Sequence, residues 1–405
     1  VAREDVKIRS KADGSEAMGD FAAYVSTPEE ETLMLIGNPV WRDAQNEGRA
    51  KQFIFDRKQK IVYGYTNAQL KLPRTAMASP DLVQPDAAAG PANTNAPVQL
   101  TAEFFEIALP ATNRPSRSLI AKTNVVIFSP ADKTTATSAV ATFDDASGIL
   151  DLQGNAVWQS DQTVARANRI TVNRTNQTFR ATGGNASLKL PANSATNQFI
   201  QIVSDNYLLR TNVANFEGGV RADFIDGKAP SQLLCKSLEI QMESNQVKTI
   251  IATGDVNMSQ IISDNHSRGL LCEKVTIHRS LETGTITSLI AERNVSLIEK
   301  QPDAEKQLVA NEVTMNFGKT NQLESLLARQ DVKITQGESW ATGEKALYLA
   351  KEDFEIFEIS GQPLARKTEP TSDGSVTGYW IKNADVLRWY PKTGEFSAEG
   401  PYVIE

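Results

Sequence analysis

The chain has 405 residues, 40% of them hydrophobic, which is enough apolar material for a substantial core and too much for a wholly disordered polymer. A formal net charge of -7 with no long Lys/Arg cluster excludes a phosphate-tracking nucleic-acid binder. No window approaches the roughly 18 consecutive apolar residues of a membrane-spanning helix, so no transmembrane segment is expected.

Taken from the N-terminus, the first pattern is Ala2-Asp5-Val6-Ile8: a small residue, two variable ones, Asn or Asp, Val or Ala, any residue, then an aliphatic. The chain starts at Val1 with no basic-then-apolar leader before this pattern, which suggests a processed or trimmed product. Around Gly37 it reads LMLIGNPVWRD and then GRAKQFIFDRKQKIVYGYTNAQLKLP, and around Gly154 LDLQGNAVWQS and then ARANRITVNRTNQTFRATGGNASLKLP. Such self-similarity marks a stacked architecture. The rule recurs as Gly64-Asn67-Ala68-Leu70, Ala121-Asn124-Val125-Ile127, Ala252-Asp255-Val256-Met258, Ala291-Asn294-Val295-Leu297 and Ala328-Asp331-Val332-Ile334, with looser copies at Asn38, Asn155, Asn185, Gly219, Gln362 and Gly400. These predict about a dozen units of roughly 30 to 40 residues over 1–405 as one continuous repeat. The Ala-, Pro- and Asn-rich stretch 74–97 interrupts the rhythm and reads as a flexible loop insertion.

Between copies of the rule, apolar and polar residues alternate: Phe53-x-Phe55, Ile170-x-Val172, Leu238-x-Ile240-x-Met242, Val275-x-Ile277, Val313-x-Met315-x-Phe317 and Leu387-x-Trp389. Period two means strand. Each unit is therefore expected to be two short strands joined by turns, with Gly at Asp13-Gly14, Ser147-Gly148, Asp226-Gly227, Thr283-Gly284, Asp373-Gly374 and Thr393-Gly394. The fold class is all-β, a rod of stacked strand pairs in two facing sheets whose inward residues form one apolar trough. The same alternation produces a filled core and an open groove. The residues expected to line it are Phe53, Phe55, Ile170, Val172, Leu238, Ile240, Val275, Ile277, Val313 and Met315.

A column of small residues accompanies these strands, at Ala50, Ala167, Cys235, Cys272, Ala310 and Ala384. Cys235 and Cys272 hold equivalent places in adjacent units, so a disulfide between neighbouring strands is conceivable, but two free thiols in small core positions is the better reading. The Asn/Asp column is expected to cap strand ends along one edge; a calcium ladder would need clustered carboxylates that the units lack. No metal or cofactor site and no catalytic motif is found: His266 and His278 read as surface residues. The carboxylates of Asp144-Asp145 and Glu29-Glu30-Glu31 are the candidates for a stacked-strand carbohydrate enzyme, a rival reading. Trp41 and Trp158 are expected at a sheet edge.

The repeated unit, best seen in GDVNMSQ after Ala252, RNVSLIEK after Glu292 and QDVKITQ after Arg329, resembles the OstA-like repeat of lipopolysaccharide-transport periplasmic proteins. That resemblance implies a twisted, open β-jellyroll in the periplasm of a Gram-negative envelope, non-enzymatic and without cofactor. Its partners would be lipopolysaccharide or a similar acylated glycolipid, and other jellyroll proteins joined end to end. The chain departs from the family in being longer than a single-module bridge. A structural or adhesive β-repeat rod is the other rival.

Overall fold

The structure is a computed structural model and describes residues 1–11, 14–44, 46–73, 96–160, 163–191, 199–225, 231–243, 246–302, 304–318, 322–350, 355–370, 376–393 and 395–405. The expected loop insertion at 74–97 lies outside them apart from its last two residues, as do the turns at Asp226-Gly227 and Asp373-Gly374 and one residue each of those at Asp13 and Gly394.

The described residues are all-β, without a helix, and form two compact units, Val1–Leu190 with Asp205–Thr211 and Pro191–Ser204 with Asn212–Glu405. The first holds β1 (Ala2–Arg9), β2 (Glu16–Ser26), β3 (Glu31–Ile36), β4 (Val40–Arg42), β5 (Glu47–Arg49), β6 (Gln52–Asp56), β7 (Ile61–Leu72), β8 (Val98–Ala108), β9 (Ser118–Ser129), β10 (Thr134–Asp144), β11 (Ile149–Gln159), β12 (Val164–Asn173) and β13 (Thr178–Pro191). Strand β14 (Phe199–Arg210) is divided between the units. The second holds β15 (Val213–Ile225), β16 (Ser231–Glu243), β17 (Gln246–Ser263), β18 (His266–Arg279), β19 (Ile286–Gln301), β20 (Ala304–Phe317), β21 (Leu323–Gln336), β22 (Ser339–Ala350), β23 (Glu355–Ser360), β24 (Leu364–Pro370), β25 (Val376–Lys382), β26 (Val386–Tyr390), β27 (Glu395–Glu399) and β28 (Val403–Ile404). From β7 to β13, and again from β15 to β22, each strand pairs antiparallel with the next.

The strands are longer than the expected short pairs because the repeated rule lies in the middle of a strand. The Asn/Asp column does not cap strand ends. At each strict copy of the rule two consecutive residues take positive φ, as in Thr66-Asn67 (63° and 50°), Thr123-Asn124 (65° and 54°), Gly254-Asp255 (80° and 49°) and Arg293-Asn294 (63° and 53°). The strand registers shift at the same places, between Tyr65 and Ala68, Thr253 and Val256, and Glu292 and Val295. Left-handed backbone inside a strand breaks the ladder and bends the chain, so one strand continues as a second half beyond a corner. Asn and Asp recur there because they tolerate this conformation better than any residue but Gly. Where the corner is sharpest the halves receive separate names: β3 and β4 both pair with β2 and are joined by Gly37-Asn38 (89° and 51°).

Asn124 is exposed, so its conformation matters more than its contacts. Asn124→Gly is expected to leave stability within a few tenths of a kcal/mol, and Asn124→Val to cost about 1–2 kcal/mol, because a β-branched side chain clashes with its own carbonyl at positive φ. Urea unfolding of the two variants checks this, and equal losses would refute a conformational role.

The small column faces the corners. Val256 pairs with Cys272, Val295 with Ala310, Val220 with Cys235, Ala156 with Ala167 and Val332 with Gly343. These pairs sit where the two halves converge, and the Cβ of a residue at Gly343 would stand 2.8 Å from the Ser360 carbonyl oxygen. Cys235 and Cys272 are both free and buried. Strand β17 runs between theirs, which sets their Cα atoms roughly 9.5 Å apart by two strand spacings, too far for the roughly 7 Å limit of a disulfide. Burial pushes both thiols up to about 11, so neither is a ready nucleophile at neutral pH.

Candidate apolar interior

The inward residues of the two strand halves pack on each other in the first unit. Trp41, beyond the corner in β4, meets Phe55 of β6 edge to face at 6.2 Å, and Trp158 of β11 meets Phe179 of β13 at 5.8 Å. A Cβ at Gly48 would stand 3.1 Å from the rings of both Phe53 and Trp41, so the missing side chain admits both aromatics. Trp41 and Trp158 are therefore interior residues, 3% and 9% exposed, and not at a sheet edge. Inward alternation continues through the corner and carries them inside, which a reading that broke each unit at the Asn could not follow.

Nine of the ten residues expected to line the interior are buried, at 9% exposure or less, and Phe55 is half-buried. Phe53 pairs with Leu35 and Gly64, and Ile170 with Leu152 and Ala181. In the second unit the other six form two parallel rows. One runs Leu238, Ala252, Val275, Ala291, Val313, Ala328 across β16 to β21; the other runs Ile240, Ile250, Ile277, Leu289, Met315, Leu326. The first row alternates large and small side chains, because each Ala is the opening residue of the repeated rule. Sequence reading treated those Ala residues as punctuation. Their spacing from the inward Leu and Ile of the same strands, two residues apart, is the signal that places them on the same face.

On the other strand half a further row runs Leu233, Met258, Leu270, Leu297, Leu308, Ile334, and it ends in charge. Two residues beyond Leu270 and Leu297 stand Arg268 and Glu299, a cross-strand pair with the Arg268 Nε donating to Glu299 at 3.0 Å. His266 lies 2.9 Å from the same carboxylate. Burial raises the Glu299 pKa, but the hydrogen bonds from His266 and Arg268 and the nearby charges of Arg268 and Lys306 outweigh it and hold the pKa below the ordinary carboxylate value. Across the interior, burial followed by the charge of Glu355 pushes the Tyr348 phenol up to about 12. His278, the other histidine, lies 3.4 Å from the Thr249 hydroxyl. Of these groups the sequence singles out only the two histidines, as surface residues, and both are half-buried.

Two of the candidate carboxylates have local partners. Asp144 accepts from the Ser147 backbone N–H at 2.8 Å and hydroxyl at 2.9 Å, which lowers its pKa, and Glu31 is paired with Arg57 at 2.9 Å. A better-enclosed carboxylate is Asp151, 5% exposed, which accepts from Arg169 at 2.6 Å, Gln153 at 2.6 Å and Thr171 at 2.8 Å. Burial raises its value, and the three hydrogen bonds outweigh that and depress it. A depressed carboxyl stabilises the fold above its unfolded value, and that stabilisation disappears as pH falls through the folded value. Asp151→Asn is expected to cost about 1.5 kcal/mol at pH 7, since Arg169 is largely exposed, and progressively less below pH 4. Parallel urea titrations across pH check this, and a pH-independent difference would refute the ionic account.

A polar hollow of about 340 Å³ follows the corner edge of the first unit, lined by Asn67, Gln69, Thr101, Glu103 and Asn124. Among the described residues no helix is long and apolar enough to cross a membrane. What the arrangement offers chemically is a ribbon of apolar contact with charged residues where a row ends. A scan of the sequence against models of known protein families and a search of the curated proteins find no match.

Proposed function

We propose that this chain is a periplasmic lipid-binding protein that carries the acyl chains of lipopolysaccharide, or a similar acylated glycolipid, along the apolar interior of an OstA-like β-jellyroll toward the outer membrane. The observation that carries the reading is the pair of in-register inward rows, Leu238 to Ala328 and Ile240 to Leu326, together with the charged residues that end the inward row of the other strand half. Each methylene exposed to water costs about 0.8 kcal/mol, so moving a multi-acyl lipid through an aqueous compartment needs a continuous apolar lining. The charged residues match the other end of such a molecule, whose headgroup stays polar. Among the described residues β1 pairs only with β2 and β27 only with β26, and such edges suit end-to-end extension by other jellyroll proteins.

A second reading, a structural or adhesive rod, is favoured by the burial itself: Phe53, Ile170, Val275 and Val313 are 0% exposed, as in a filled core. A carrier with these contacts must part its two strand halves to admit an acyl chain. Native mass spectrometry with lipid extraction, on protein from a Gram-negative host, separates the two readings when combined with a photocrosslinking residue at Ile240. Acylated glycolipid that co-purifies and crosslinks at that position is the expected result. No co-purified lipid, with only internal crosslinks in the presence of added lipopolysaccharide, would remove the transport reading and leave the rod.

A further inference from the structure

Two guanidinium groups meet at one lip of the first unit's interior. Arg117 and Arg174 each stand two residues past an inward residue, Leu119 and Val172, and Asp145 stands two past Phe143, so all three continue the inward face beyond the apolar rows. The Arg117 side chain is 9% exposed and donates to the Asn46 amide oxygen at 2.9 Å. Arg174 lies over the Phe143 ring, 5.1 Å from its centroid.

The pair is short of negative charge. Arg117 and Arg174 each stand 3.7 Å from one oxygen of Asp145, farther than the roughly 2.7–2.9 Å of a charge-assisted hydrogen bond. The Arg174 Nε is buried and has no hydrogen-bond partner among the described residues. A buried N–H of a charged group without a partner costs more than a neutral one, and a satisfied core would not leave it so. Burial depresses the Arg174 pKa against the pull of Asp145, and the like charge of Arg117 lowers it further.

Two planar forks converging on one place, with a buried donor unused, match an anion that offers several oxygens in different directions. A carboxylate offers two oxygens in one plane, whereas a phosphate group offers three or four in a tetrahedron and can accept from both forks at once. We propose that Arg117 and Arg174 form a binding site for a phosphate group, either inorganic phosphate or the phosphomonoester of a larger molecule, and that Asp145 is the group it displaces. The site does not depend on whether the interior carries acyl chains. Its place beside Phe143 sets it next to apolar surroundings, which suits an amphiphile whose phosphate adjoins an apolar body.

The test uses the whole chain with 15N-labelled arginine, titrated with inorganic phosphate against chloride at matched ionic strength. A saturable shift of the Arg174 Nε–H resonance is expected, with affinity about tenfold weaker in Arg117→Gln, because half of the charge-assisted contacts are lost. Asp145→Asn removes the competing carboxylate and is expected to tighten phosphate binding severalfold, an effect that a variant damaged in folding would not produce. No saturable shift in the unaltered chain overturns the proposal, as does an unchanged affinity in Asp145→Asn. Competition by diphosphorylated lipid A in detergent, compared with its dephosphorylated form, then identifies the source. Displacement of phosphate by the phosphorylated form alone supports a site for an amphiphile headgroup. Saturable phosphate binding with no displacement supports the site as one for free phosphate and counts against the lipid reading only.

Discussion

Phe53→Ala is expected to destabilise the first unit by about 3–5 kcal/mol. Phe53 is 0% exposed, its ring lies 5.7 Å from Phe55 and 6.0 Å from Phe105, and the hydrogens of Gly48 are all that separates it from the backbone of the opposing half. Removing the ring loses its transfer energy and leaves a cavity walled by two strand halves that are tied at their corners, so collapse around it is limited. Phe53→Leu, which keeps most of the volume, is expected to cost under about 1.5 kcal/mol. Hydrogen exchange of the β3, β6 and β7 amides reads the loss locally, with urea unfolding as the global check. A loss below about 1 kcal/mol for Phe53→Ala would mean that the halves are not packed on each other in solution, and would weaken the rod reading in favour of an interior that opens.

Ile240→Asp is expected to be comparably damaging in the second unit, and its damage should depend on pH. Ile240 is 5% exposed and sits between Ala214 and Ile250 in the second apolar row, with no cation beside it in that row. An ionised carboxylate there has lost its water without gaining a partner, a loss of about 3–5 kcal/mol at neutral pH. Burial raises the folded-state pKa of the new Asp above its unfolded value of about 3.9. The penalty for the charged form therefore grows as pH rises from the unfolded value to the raised folded one, and it recedes as pH falls back toward 4. Ile240→Leu serves as the control and is expected to cost under about 1.5 kcal/mol at every pH. Stability of Ile240→Asp that is independent of pH, or near that of the control, would show that this row is in contact with water and not an apolar lining.

Legibility in the sequence followed the physics of each feature. Alternation at Leu238, Ile240, Val275, Ile277, Val313 and Met315 is a local property of strands, and it was enough to place these residues on the inward face. The recurrence of Asn and Asp after a small residue was visible too, but its meaning was not. Caps at strand ends and corners within strands draw on the same residues, since both need backbone that Asn and Asp tolerate, and only the positive φ values at pairs such as Arg293-Asn294 separate them. Trp41 and Trp158 were misplaced for the same reason, because their inward direction is set on the far side of a corner. The separation of Cys235 and Cys272 depended on strand β17, the whole strand that intervenes between theirs.

Composition, period-two alternation and the repeated small-x-x-Asn rule by themselves determined that the chain is all-β, that its strands repeat, and which side chains turn inward. These are statements about neighbours one, two or three residues apart, which the covalent geometry of a strand carries directly. Tertiary structure alone decided that two halves of one strand face each other across a core, that Arg268 meets Glu299, and that Arg117, Asp145 and Arg174 converge at one lip. Residues 28 to 57 positions apart come together there through the summed registers of several ladders, and charged side chains at strand ends carry no periodic signal that would announce where those registers lead.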